Sequence, residues 1–179
     1  ANISIPSGVT SIGDKAFFRS DMPASLDLSG VANIGEEAFF CCNGLTSVTL
    51  SGSIGPEAFQ GCTGLTSVSL TSGVTSVASD AFEGCTALQT ISVDGGDAAY
   101  TDVDGVLFTK DLSELVCYPA GRTAASYTVP SGVTSIGETA FESCASLRSV
   151  TLPSGLTDIG GRAFCACSHL NYIMIPDSV

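Results

Sequence analysis

Apolar and polar positions repeat along the chain in one fixed pattern. Six Ala-Phe pairs, ending at Phe17, Phe39, Phe59, Phe82, Phe141 and Phe164, mark its copies, which follow one another at 20–23 residues except for the 59-residue step from Phe82 to Phe141. Three residues after the Phe stands Cys42, Cys62, Cys85, Cys144 or Cys167, with Ser20 in the first copy. Six after it stands Leu45, Leu65, Leu88, Leu147 or Leu170, with Pro23 in the first copy. Nine and eleven residues on come Leu26/Leu28, Val48/Leu50, Val68/Leu70, Ile91/Val93, Val150/Leu152 and Ile173/Ile175. Self-similarity at this period is the signature of a solenoid. A single coil buries too few apolar side chains to offset the entropy of ordering its backbone, so each coil must stack on its neighbours.

Within a copy, a segment such as Leu45–Leu50 alternates apolar and hydroxyl residues and is rich in Thr and Val, which predicts a half-buried strand. Stacked, these strands form a parallel sheet. Pro130–Gly132 and Pro153–Gly155 are turn sequences that end it. A second apolar pair, Val133/Ile136 or Leu156/Ile159, then crosses the core before Gly137 or Gly160 permits another bend. The next few residues, Glu138–Phe141 for example, read as one helical or 3-10 turn, too short for an independent helix.

Two departures stand out. Leu50 to Ile54 is four residues where Leu152 to Ile159 is seven, so one connection is shortened. Residues 94–122 break the period. There Gly105–Phe108 and Leu115–Tyr118 are short apolar runs separated by the polar Thr109–Glu114, which predicts a β-hairpin, expected to protrude from an otherwise smooth surface. Tyr127 and Val129 resume the strand pattern.

The run Leu-x-x-Val-x-Leu-Pro-Ser-Gly-x-Thr-x-Ile-Gly-x-x-Ala-Phe-x-x-Cys-x-x-Leu resembles the BspA-like, or Treponema-pallidum-type, leucine-rich repeat, over nearly the whole chain. The Tyr100…Asp104-Gly105-Val106-Leu107…Tyr118-Pro119 stretch resembles a variant common in such arrays. The resemblance implies a right-handed leucine-rich-repeat solenoid with its parallel sheet on the concave side. It also implies secreted or cell-surface proteins whose arrays engage extracellular or host macromolecules. Residues 1–179 are expected to form one array cut from a longer protein, since both ends fall inside the repeat. Ala1 leads directly into the strand-like Ile3–Pro6 with no basic start and no apolar run, so no signal peptide is expected in this segment.

Composition narrows the partners. The net charge of −12 with only six Lys and Arg gives no basic stripe, which argues against nucleic acid and anionic lipid. The longest uncharged stretches, Ala38–Pro56 and Gly61–Ser79, carry Gly, Ser and Thr at the repeat period, so no membrane-spanning segment is expected. Charged residues are only 13% of the chain, leaving hydroxyls and backbone to cover the surface.

Chemistry has few footholds. The eight cysteines lack the paired spacing of a zinc site. The five in register with Phe are expected to be reduced, buried and bonded to the turn, whereas Cys41, Cys117 and Cys165 stand outside that register. His169, the only histidine, sits in a polar turn without a nucleophile or acid at triad spacing. Asp94–Gly105 is acidic, but its glycines do not fit an EF-hand loop, so a solvated loop is the reading preferred to calcium. No metal or cofactor is expected, and no catalytic set can be named.

What remains is the outward face of the strands. Ser47/Thr49, Ser67/Ser69, Thr90/Ser92, Ser149/Thr151 and Tyr172 would stack into two hydroxyl columns ending in a more apolar patch with Met174. They suit shallow recognition of a protein or glycan over several coils, and equally they suit β-propensity and solubility. The leading expectation is a non-enzymatic binding module of an adhesin-like surface protein. The alternative is a spacer without a ligand. Ice binding is a weaker third, opposed by concavity and mixed Ser/Thr usage.

Overall fold

A computed structural model of the chain describes residues 3–179; Ala1, the first residue of the expected leaderless start, lies outside them. The described residues hold fourteen strands and no helix: Ser11–Ile12 (β1), Ser25–Leu28 (β2), Asn33–Ile34 (β3), Ser47–Ile54 (β4), Ser67–Val77 (β5), Thr90–Val93 (β6), Tyr100–Val103 (β7), Val106–Thr109 (β8), Glu114–Cys117 (β9), Ser126–Thr128 (β10), Ser135–Ile136 (β11), Ser149–Thr151 (β12), Asp158–Ile159 (β13) and Tyr172–Ile173 (β14). They build a β-solenoid of about seven turns with parallel sheets. Coils pair like with like: Val48 lies opposite Leu26 and Val68, and Val68 opposite Ile91.

Most of the apolar positions read from the repeat are the core, although Ile175 in the last coil is exposed and Val93, Leu152, Leu170 and Ile173 are half-buried. Leu26, Leu28, Val48, Leu50, Val68, Leu70, Ile91 and Val150 are buried on one side. The Phe column fills the other, with ring centroids 5.2 Å apart for Phe17–Phe39, 5.0 Å for Phe39–Phe59 and 5.8 Å for Phe59–Phe82. Tyr118 stands where a Phe is due and stacks on Phe141 at 5.1 Å, followed by Phe164 at 4.9 Å, so the residues from Tyr118 onward form a seventh coil.

Each thiol in register donates to a ring-bearing residue's carbonyl one coil back. Cys42 reaches Phe17 O, Cys62 Phe39 O and Cys85 Phe59 O, all at 3.1 Å, and Cys167 reaches Phe141 O at 3.0 Å. Cys144 is looser, 3.7 Å from Tyr118 O. All eight cysteines are free; Cys165 is exposed, and Cys41 and Cys117 are half-buried.

The expected helical or 3-10 turn is instead a run of tight turns. In the coils of Phe17, Phe39, Phe59, Phe141 and Phe164, the positions two residues before and two after the Phe take left-handed backbone: Glu37 (φ 51°) and Cys41 (φ 53°), Thr139 (φ 56°) and Ser143 (φ 60°). That conformation aims alternate N–H groups along the array, so Glu37, Phe39 and Cys41 donate to Pro56, Ala58 and Gln60 of the next coil at 3.0, 2.7 and 2.8 Å. A helix would turn these donors inward on the same coil and leave the coils unlinked on this side.

β5 runs unbroken through two sides of its coil, and β4 does the same across the shortened connection. Gly52 permits this: its φ is 63°, and a Cβ there would stand 2.0 Å from Ala32 O. β1–β6 therefore form one six-stranded sheet, in which β2 pairs with β4 beside the path β1-β3-β4-β5-β6.

The hairpin forms as expected, β8 antiparallel to β9 with Phe108 opposite Leu115, and β7 adds a third antiparallel strand. It does not protrude. Val106, Leu107 and Phe108 are fully buried, because β8 crosses the interior instead of the surface. The apolar interior falls into two clusters, and Leu107 belongs to the N-terminal one while Val106 and Phe108 belong to the C-terminal one. Strand alternation sends neighbouring side chains to opposite faces, so one strand seals both.

Candidate functional site

The outward residues of the strands come together in two groups. Ser47, Ser67 and Thr90 are direct cross-strand neighbours, as are Thr49, Ser69 and Ser92. Ser25 and Asp27 of β2 extend these columns by one coil. Ser149 and Tyr172 are neighbours on a separate sheet, β10-β12-β14, where Ser126 and Thr128 add another coil and Thr128 faces Thr151. Ser25, Asp27, Ser126 and Thr128 were legible at the same offsets, eight and ten residues after Phe17 and Tyr118. The hydroxyls are largely free for outside partners; Ser92 Oγ makes a long contact, 3.3 Å, to Ser69 Oγ. Tyr172 and Met174 are 59% and 68% exposed and share a cavity of about 570 Å³ with Thr151 and Leu152.

Between the groups the hairpin turn intrudes. Ile91 N donates to Gly105 O and Val93 N to Asp102 Oδ1, both at 2.9 Å, so the donors β6 would offer a following strand are taken. Arg122 fixes the intrusion: its guanidinium donates to Asp104 O at 2.6 Å and lies over the Tyr118 ring. Gly105 has φ 78°, and a Cβ there would meet Thr90 Oγ1 at 2.5 Å, so only glycine seats the turn against β6. Sequence reasoning missed Arg122, which lies in the aperiodic segment.

The other candidates resolve into local structure. Asp97 Oδ1 accepts from Ala99 N and Tyr100 N, Asp94 Oδ1 from Gly96 N, and Asp102 Oδ2 from Gly105 N, so these carboxylates cap their own loop. Among the described residues no three His, Cys, Asp or Glu side chains converge as metal ligands do. His169 is exposed, its Nδ1 2.7 Å from Ala145 O. Burial in apolar surroundings pushes the Cys62 thiol up to about 12, which makes it a poor nucleophile. On the turn side, Arg162 binds Glu83 and Glu142 at 2.9 and 2.7 Å, and Thr139 Oγ1 donates to Ser79 O at 2.7 Å, tying coils on either side of the hairpin. Burial, and then the neighbouring Glu83 carboxylate, hold the Glu142 carboxyl above its ordinary range against the pull of Arg162.

The model of the BspA type leucine rich repeat region matches residues 1–105 and 118–179 in six copies. The chain belongs to this family. The unmatched residues, 106–117, are β8, β9 and their connection, the inserted part of this BspA-type array. Among solved structures the array is similar to the pneumococcal vaccine antigen PcpA, with 25% identity and a TM-score of 0.74 over 99% of this chain and 51% of that one. It is also similar to a leucine rich cell surface protein of Faecalibacterium prausnitzii (23%, TM-score 0.52, 98% of this chain and 76% of that one). The leucine rich repeat protein of T. pallidum is similar too (23%, TM-score 0.54, 94% and 91%). At those identities the last two show the fold alone. The array spans about half the length of the pneumococcal antigen. No curated protein sequence matches the chain.

Proposed function

We propose that this array is a non-enzymatic recognition module of a secreted or cell-surface protein, adhesin-like in action, which binds an extracellular protein or glycan through the hydroxyl-bearing strands. The observation that carries the reading is the register: Ser47, Ser67 and Thr90, and beside them Thr49, Ser69 and Ser92, are held side by side by the backbone ladder of β4, β5 and β6. Rigid display spares a ligand the entropy of ordering its binding surface. The similarity to a pneumococcal vaccine antigen supports the location, as does family membership. Catalysis has no comparable support, since buried thiols and self-capping carboxylates offer no converging acid, base and nucleophile.

The test is binding to a panel of immobilised matrix proteins, plasma proteins and glycans, beside a variant carrying Thr49→Gln, Ser69→Gln and Ser92→Gln. Saturable binding lost in the variant, with its circular dichroism unchanged, supports the face. Binding retained by the variant moves the site elsewhere. A folded sample that binds nothing on the panel favours the spacer.

A further inference from the structure

Five of the six Lys and Arg side chains are engaged within the fold. Lys15 pairs with Glu37, and Arg162 with Glu83 and Glu142; Lys110 and Arg122 donate to backbone carbonyls; Arg19 lies over the Phe18 ring. Arg148 alone has no ion pair, hydrogen bond or ring contact for its guanidinium among the described residues, and it is exposed. It lines an open groove of about 320 Å³ together with Thr123, Ala125, Ala145, Ser146 and His169, the only histidine. In a chain of net charge −12, the one uncommitted guanidinium and the one imidazole share a groove.

We infer that this groove binds an acidic sugar, with Arg148 holding the carboxylate. The inference deepens the recognition reading by naming a ligand class for a groove that flanks the C-terminal part of the proposed face.

Guanidinium matches carboxylate through two parallel N–H···O bonds. His169 supplies the complementary group. A carbonyl only accepts, so the Nδ1 that meets Ala145 O carries the proton, and in the neutral ring Nε2 is left as an acceptor for a hydroxyl. Thr123 and Ser146 hydroxyls both donate and accept, as a polyol requires.

An acidic peptide fits less well, because it needs backbone partners. Two of the groove's carbonyls are already taken: Ala125 O accepts from Arg148 N and Ser149 N, and Ala145 O from His169.

The experiment is calorimetric titration of the whole chain with α-1,4-trigalacturonate, maltotriose and hexaglutamate, repeated on Arg148→Gln, Arg148→Lys and the Thr49/Ser69/Ser92→Gln variant. A charge-assisted hydrogen bond contributes roughly 1.5–3 kcal/mol, so Arg148→Gln is expected to weaken trigalacturonate by about tenfold or more, with Arg148→Lys between it and the parent. Maltotriose and hexaglutamate should bind at least about tenfold more weakly than trigalacturonate. Absence of trigalacturonate binding, equal binding of maltotriose or of hexaglutamate, or equal binding by Arg148→Gln overturns the inference. Loss in Arg148→Gln with retention in the three-site Gln variant upholds the groove even where the N-terminal hydroxyl columns fail their own test.

Discussion

Replacing Phe108 by Ala tests whether β8 seals the interior or decorates the surface. Phe108 is fully buried in the C-terminal cluster and its neighbour Leu107 fully buried in the N-terminal one. A Phe side chain removes about 150–250 Å² from water, worth about 4–6 kcal/mol at roughly 25 cal/mol per Å². Ala keeps a small part of that, and the cavity adds its own cost, so Phe108→Ala should destabilise by about 3–5 kcal/mol and Leu107→Ala by about 2–5. Coils touch only their neighbours, so the damage should be lopsided. Urea denaturation gives the sum, and hydrogen exchange read by mass spectrometry gives the distribution. Exchange should rise mainly in residues 126–179 for Phe108→Ala and mainly in residues 3–93 for Leu107→Ala. A loss below about 1 kcal/mol for Phe108→Ala, the scale of a surface substitution, would refute the placement of β8, as would identical exchange patterns in the two variants.

Gly52→Ala should cost at least about 1–3 kcal/mol in urea denaturation, since it adds a Cβ at positive φ against Ala32 O, whereas Gly132→Ala, with open space around it, should stay within about 0.5. Thiol alkylation at pH 8, followed by mass spectrometry, should modify exposed Cys165 first and leave Cys62 untouched until the array unfolds, because Cys62 is both buried and held near 12. The Glu142 carboxyl is raised in the folded state, so the folded chain holds that proton to higher pH than the unfolded chain does. Its contribution is therefore fully present below the unfolded value and lost as pH rises through the folded one. Melting temperatures followed upward from pH 4 should fall less steeply in Glu142→Gln than in the parent, and parallel curves would count against this origin.

The coils were legible because stacking pairs each position with its own equivalent. Once Val48, Val68 and Ile91 are recognised as one position, their cross-strand pairing follows, and with it the register of every hydroxyl on β4, β5 and β6. The thiol column was legible for the same reason. The turns were not. Lys15, Glu37 and Thr139 occupy left-handed backbone that their own preferences disfavour, and the bonds to the adjacent coil offset that cost. A local reading of Glu138–Phe141 therefore favours a helical turn, and the stack overrules it. Tyr118 hid a coil in another way: it fills the Phe position without the Ala before it or the Cys after it, so the step from Phe82 to Phe141 reads as an interruption.

That interruption decides how the face can work. Strands lie about 4.8 Å apart, so the four strands β2, β4, β5 and β6 offer roughly 14 Å of continuous hydroxyl surface, and β10, β12 and β14 roughly 10 Å. Between them stand Val103 and Asp104, both exposed, with Arg122 holding the turn in place. A rigid ligand laid across both parts would meet the turn instead of hydroxyls at the middle of its footprint. On the proposed recognition reading, affinity would therefore not accumulate evenly coil by coil over all seven coils. It would arise in two patches joined by a fixed spacing, where occupation of one would raise the effective concentration at the other only for a ligand flexible or long enough to pass the turn. The patches also differ in charge. Asp27 stands among the N-terminal columns, and Arg148 with His169 flanks the C-terminal one, so a single ligand engaging both must present a cationic or neutral end to the first and an anionic end to the second.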